Sequence, residues 1–157
     1  MPDVDRATLL EVLAEELRVC TRLIEAMGRM QRALIAGDLD AMHASVMEQQ
    51  GLVARVERLE TTRAQAVGGG GGEGASRLSQ LMPLFEGRER ERAERLRERL
   101  REAALRMHEL NRQNEALASG QLNVIERWSS ILSAREGAGT YGQQRAPQRS
   151  RKVNVRV

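Results

Sequence analysis

A long apolar seam constrains this chain more than any other feature of its sequence. Between Ala93 and Ile131, seam side chains recur at alternating spacings of three and four residues. This heptad pattern is typical of a long helix that packs lengthwise on other helices. The seam, with two polar members, consists of Ala93, Leu96, Leu100, Ala103, Met107, Leu110, Asn114, Leu117, Gln121, Val124, Trp128 and Ile131. No Pro occurs from 84 to 146, so we expect a helix over about 88–135, roughly 70 Å long.

Two shorter helices are predicted before the long one. The first covers about 6–36, with Asp5 as its N-cap and Gly37 as its stop, and Asp38 caps the next helix. Such a tight connection predicts an antiparallel hairpin. The seam of the first helix is flanked by a second apolar row, so this helix is expected to contact two neighbours. That seam consists of Leu10, Leu13, Leu17, Cys20, Ile24, Met27, Gln31 and Leu34.

The second helix, about 39–67, has the weakest apolar pattern. Its expected stripe consists of Leu39, Met42, Val46, Leu52, Val53, Val56 and Leu59. A Gly-rich connector at 68–74 and a short helix at about 76–85, which plugs one end of the bundle, complete the prediction.

The predicted fold is all-α: an antiparallel helical hairpin plus a long third helix, forming a coiled-coil-like three-helix bundle. Aromatic residues make up 2% of the chain and charged residues 30%, a composition typical of long helices and coiled coils. We expect a single helical domain at 1–136 and a flexible basic tail at 137–157.

The hairpin is too short to cover the long helix, so part of the apolar stripe is expected to face outward and bind a partner. The candidate contact residues are Leu117, Val124, Ile125, Trp128, Ile131 and Leu132. Packing of Trp128 inside the chain's own bundle, or in a homodimer, is the alternative interpretation.

The charge distribution argues against a specific nucleic-acid site. The net charge is +3 and the tail after Glu136 contributes +5, which leaves −2 for residues 1–136. A basic tail gives only salt-dependent attraction to polyanions. No stretch approaches the length of a membrane span, so no membrane insertion is expected. The single Cys20 and the absence of a visible secretory signal favour the cytoplasm.

The titratable residues give no sign of catalysis. His43 and His108 are the only histidines, and neither has a Cys, His or Asp nearby at ligand spacing. No Ser or Cys stands in a nucleophile motif. We expect no catalytic residue, no metal site, no cofactor and no enzymatic activity.

Three elements in order along the chain resemble the FlgN-type flagellar export chaperones. Residues Leu110–Leu117 read L-N-x-x-N-x-x-L, with Asn111 and Asn114 as the motif asparagines. Residues 139–142 read Gly-Thr-Tyr-Gly, and 30–42 form a helix, a Gly-Asp break and a second helix.

The resemblance implies a non-enzymatic cytoplasmic chaperone for the hook-associated proteins, which join the flagellar hook to the filament. Such a chaperone holds the client's aggregation-prone terminal helices, prevents their premature association and delivers them to the type III export gate. The resemblance further implies that Tyr141 docks on the cytoplasmic domain of the gate.

A self-associating coiled-coil scaffold or adaptor is the alternative function. In that case Asn114 and Gln121 would set the register against a second copy of the chain. The mass in solution distinguishes the two, because a stable parallel oligomer favours the scaffold and a monomer that binds its client one-to-one favours the chaperone.

Overall fold

The computed structural model describes residues 5–67 and 77–137, with side chains as far as Ser133. Within these ranges there is no strand, and the predicted all-α fold class is confirmed. The helices are α1 (Arg6–Ala36), α2 (Leu39–Ala66), α3 (Leu78–Leu81) and α4 (Gly87–Gly137), with a 3₁₀ turn (Met82–Leu84) between α3 and α4. The predicted connector at 68–74 and the tail from 138 onward, which includes Tyr141, lie outside the described residues.

Side-chain and glycine caps define the hairpin. An oxygen of Asp5 accepts a hydrogen bond from the Thr8 amide at 3.0 Å, which satisfies a free donor at the start of α1. Gly37 ends this helix in the left-handed region at φ 69°, where a side chain would be strained. Asp38 then accepts from the Ala41 amide at 3.0 Å and starts α2 without an intervening loop.

Helix α1 packs against both α2 and α4, and it uses a different face for each. Ser45 of α2 donates to the Ala26 carbonyl at 2.7 Å, and earlier α1 residues meet later α2 residues, so α1 and α2 are antiparallel. The first α1 seam faces α4 instead. Leu13, Leu17 and Cys20 share one apolar cluster with Leu100 and Ala103, and positions increase together along both helices, so α1 and α4 are parallel.

The inward face of α2 differs from the predicted stripe. Leu39, Val46 and Val53 are exposed, whereas Leu52, Ser45 and Arg63 are buried. The polar residues are accommodated because each finds a partner on α1, and the small Ser45 side chain lets the two helices approach closely. The prediction for these three apolar residues was therefore wrong.

The segment before α4 closes one end of the bundle. Leu81, Met82 and Phe85 form an apolar cluster with Leu9 and Leu10 at the start of α1. Phe85 is 1% exposed and is the largest fully buried side chain among the described residues. This arrangement agrees with the plug expected from the sequence.

The chain divides into two compact units, Met1–Ser119 and Gly120–Val157. The helical bundle described above belongs to the first unit. The predicted boundary between a helical domain and a tail at 136/137 stays a prediction.

Candidate protein-binding face

Five large apolar side chains on the second unit's part of α4 form a stripe that we call the outer face. It consists of Val124, Ile125, Trp128, Ile131 and Leu132, which are 53%, 60%, 60%, 50% and 56% exposed. Positions three and four residues apart share one side of a helix, so these side chains form one continuous surface. All five were predicted from the sequence as contact residues, together with Leu117.

Leu117 lies apart from these five residues. It is half-buried and belongs to the first unit. Leu122, by contrast, lies within the second unit and is 60% exposed, but it was not among the candidates. Its spacing of six residues from Trp128 places it off the centre of the outer face.

The outer face has the chemistry of a protein-binding surface. Its exposed apolar area is roughly 550 Å², within the range of the largest patches on soluble monomers, which are often functional. Trp128 combines the largest apolar surface with an indole N–H donor, a combination enriched at binding hot spots. Arg127, the residue before Trp128, is also exposed.

The first half of the same seam is buried or half-buried. We call the residues from Ala93 to Leu117 at seam positions the inner seam. Ala93 is 0% exposed and Leu110 is 2% exposed. Leu110 shares an apolar cluster with Met27 of α1 and Leu52 of α2, so all three helices meet there.

A polar layer lies near the end of the inner seam. Asn114 is 9% exposed and its Nδ2 donates to the Met27 carbonyl at 3.0 Å. Beside it, the Gln31 amide donates to Gln113 at 2.8 Å. Hydrogen bonds between specific partners fix the register of α1 against α4, because a shift by one turn would leave these buried polar groups unpaired.

Glu109 extends this layer to the surface. Hydrogen bonds from Arg112 and then Gln113 lower the pKa of Glu109 to about 2. Gln113 thus accepts from Gln31 and donates to Glu109 at 2.7 Å. Asn111, the first motif asparagine, is exposed and donates to Glu115 at 3.1 Å on the same helix.

Sequence reasoning missed a buried ion pair between α1 and α2. The Nη1 of Arg63 lies 2.6 Å from Oε2 of Glu16, and both side chains are almost fully buried. Burial raises the pKa of Glu16, more than the attraction of Arg63 lowers it. The available signal was the position of Glu16 within the apolar row that also contains Val12 and Val19.

Cys20 lies close to this pair and is also buried. Burial raises the pKa of the Cys20 thiol, and the nearby Glu16 carboxylate raises it further. A thiol in these surroundings is a poor nucleophile, because the reactive form is the thiolate.

A family model for the FlgN protein matches residues 1–149, which is nearly the whole chain. The chain belongs to the FlgN family. FlgN is the family of flagellar export chaperones, so this FlgN chain is a chaperone of flagellar assembly. Searches of curated proteins and of solved structures gave no match.

The family assignment agrees with the chemistry of the described residues. FlgN is a chaperone family and not an enzyme family. Among residues 5–67 and 77–137, no group of three or more His, Cys, Asp or Glu is placed to hold a metal ion. His43 and His108 are both exposed. None of the described helices is long and apolar enough to cross a membrane.

Proposed function

We propose that this FlgN chain is a cytoplasmic chaperone that binds the terminal helices of hook-associated, hook–filament junction proteins on the outer face. By covering those helices it prevents their premature association, and it then delivers them to the cytoplasmic domain of the export gate. The proposal includes no catalytic step and no cofactor. The observation that carries it is the exposure of five adjacent large apolar side chains on a chain of this family.

An amphipathic client helix fits this surface. Its apolar residues, spaced three and four apart, would lie along Val124, Trp128 and Ile131. Burial of a large apolar side chain contributes about 1.5–3 kcal/mol, so the five side chains of the outer face can supply the anchors that a specific contact needs.

Calorimetric titration with a C-terminal peptide from a hook–filament junction protein tests the proposal. We expect binding at micromolar concentration or tighter with a negative heat-capacity change, the mark of apolar burial. Trp128→Ala should weaken it at least about tenfold, since truncated hot spots cost about 2 kcal/mol or more. Leu105→Ala is the matched control, because Leu105 is 64% exposed on α4 but lies in the first unit. Absence of binding by the folded protein would contradict the proposal.

Delivery is proposed to depend on Tyr141, which lies outside the described residues. The support for this role is the Gly-Thr-Tyr-Gly sequence at 139–142 and its resemblance to the family element. We expect Tyr141→Ala to retain client affinity while secretion of the client is lost. Tyr141→Phe is the conservative control, and normal secretion by the alanine variant would remove the docking role.

A self-associating scaffold is the second candidate function. Asn114 gives it little support, because its Nδ2 already donates to the Met27 carbonyl of its own chain. The argument that remains is the exposed outer face itself. A scaffold predicts an oligomer that persists when client peptide is added in excess.

A further inference from the structure

The outer face is symmetrical about Trp128. Apolar residues stand three positions away on both sides, at Ile125 and Ile131, and four positions away on both sides, at Val124 and Leu132. Polar or charged residues stand one, two and five positions away on both sides. The largest side chain thus lies at the centre of a patch that reads the same in both directions along the helix.

A patch of this kind is self-complementary. In a two-fold dimer each contact occurs twice, so the same surface must match itself after rotation. When two copies of the helix run antiparallel with Trp128 at the dyad, Val124 of one copy lies level with Leu132 of the other. Ile125 then lies level with Ile131, and every apolar position meets an apolar position.

The area also fits a second copy. Two outer faces of roughly 550 Å² each give an interface of roughly 1,100 Å², just above the lower limit for a specific protein–protein contact. Interfaces of this size are typical of weak or transient complexes, so we expect a dimer that dissociates readily.

The charges near the dyad oppose this pairing only weakly. Glu126 lies on the opposite side of the helix from Trp128, because two residues correspond to about 200° of rotation. Arg127 flanks the face and would lie near its counterpart in the second copy. Its side chain is exposed, so solvent and salt screen the repulsion.

We propose that a second copy of this chain covers the outer face in the resting state, antiparallel and centred on Trp128, and that the client must displace it. The competition rests on the proposed function, because it assigns the client to the same face. The dimer keeps the apolar surface from other contacts when no client is present. It also makes the apparent client affinity fall as the chaperone concentration rises.

Sedimentation equilibrium of the full chain at roughly 1–100 µM tests the dimer. We expect the mass to rise from monomer to dimer across this range. Trp128→Ala should raise the dimer Kd at least about tenfold, and Leu105→Ala should leave it unchanged. A monomer at every concentration, or a dimer indifferent to Trp128→Ala, would overturn the proposal.

Cross-linking tests the orientation. In an antiparallel two-fold pair the same flank of both helices meets, so Arg127→Cys and Ser129→Cys, each in a Cys20→Ala background, should be joined between identical chains by a short bismaleimide cross-linker, which spans the distance between flanking positions. Glu126→Cys, on the opposite side of the helix, is the control and should not be joined. In a parallel pair opposite flanks meet, and loss of both cross-links while the dimer persists would overturn the antiparallel arrangement.

Adding client peptide separates this proposal from the proposed function. Conversion of the dimer to a one-to-one complex supports both. A monomer that binds the peptide through Trp128 overturns the dimer and leaves the chaperone function intact. A Trp128-dependent dimer that ignores the peptide supports self-association and overturns client binding at this face. Peptide bound to an intact dimer overturns the competition.

Discussion

Leu110 and Trp128 belong to one heptad pattern along α4, yet Leu110 is 2% exposed and Trp128 is 60% exposed. Eighteen residues separate them in the sequence. Leu110 has partners in α1 and α2. The comparison teaches that heptad spacing defines a surface able to pack, whereas burial depends on whether a partner is present.

The two parts of the seam also differ in side-chain size. The inner seam includes Ala93 and Ala103, which are 0% and 8% exposed and leave space for a close neighbour. The outer face has no alanine and includes Trp128. The inner seam therefore leaves room for a close neighbour, whereas the outer face presents large, protruding side chains.

The largest loss of stability is expected from Arg63→Ala. It leaves the carboxylate of Glu16 buried without its cation, at an expected cost of about 3–5 kcal/mol in the free energy of unfolding. Urea unfolding measures this. Arg55→Ala is the control, because the Arg55–Glu15 pair is exposed and should contribute about 0–1 kcal/mol. Equal losses for the two variants would show that the Glu16 site is hydrated.

Leu110→Ala tests the inner seam directly. Truncation of a fully buried leucine creates a cavity where three helices meet, and we expect a loss of about 2–5 kcal/mol. Leu105→Ala, on an exposed position of the same helix, should change stability by less than about 0.5 kcal/mol. If Leu110→Ala were equally mild, α4 would not be held by this cluster.

The pH dependence of stability reports on the α1–α4 contact at Cys20. Because the pKa of Cys20 is raised in the folded state, its contribution is fully present below the unfolded pKa of about 8.5 and is lost as the pH rises above it. We expect the urea concentration at the unfolding midpoint to decrease as the pH rises above about 8.5. This decrease should be smaller than the one caused by Arg63→Ala or Leu110→Ala. Cys20→Ala should remove this dependence. A pH-independent midpoint in the parent chain would place the thiol in solvent.

Trp128→Ala should have the smallest effect on stability. Trp128 is 60% exposed, so we expect a change within about 0.5 kcal/mol when unfolding is measured at concentrations where the chain is monomeric. A loss of about 3–5 kcal/mol would instead mark Trp128 as a core residue and reverse the comparison with Leu110.

Local chemistry made the helix ends of the hairpin predictable. Asp5 and Asp38 accept hydrogen bonds from amides at the start of a helix, and Gly37 ends a helix. Each of these contacts lies within four residues, so the roles can be inferred from sequence. The inward face of α2 was not predictable in this way. Ser45 and Arg63 find their partners 19 and 47 residues away, so at sequence level they look like interruptions of an apolar stripe.

The candidate face was inferred from a difference in length. α4 has 51 residues and α1 has 31, so a hairpin of this size cannot cover the whole seam. The difference in length predicts that part of the stripe is exposed, but it does not identify the residue at which exposure begins. Leu117 was therefore included among the contact residues, although it is half-buried. The end of the covered region depends on the register set by Asn114 and Met27, which spacing alone does not specify.

The sequence separation of the contacts predicts the order in which the bundle forms. Hydrogen bonds between α1 and α2 join residues 19 to 47 positions apart, whereas those between α1 and α4 span 82 and 87 positions. Closing the longer loop costs more chain entropy, so the hairpin is expected to form first and to serve as the template on which α4 folds. During synthesis on the ribosome, the hairpin emerges with its α4-facing seam still uncovered. The chaperone itself therefore passes through a stage in which it carries an aggregation-prone helical surface.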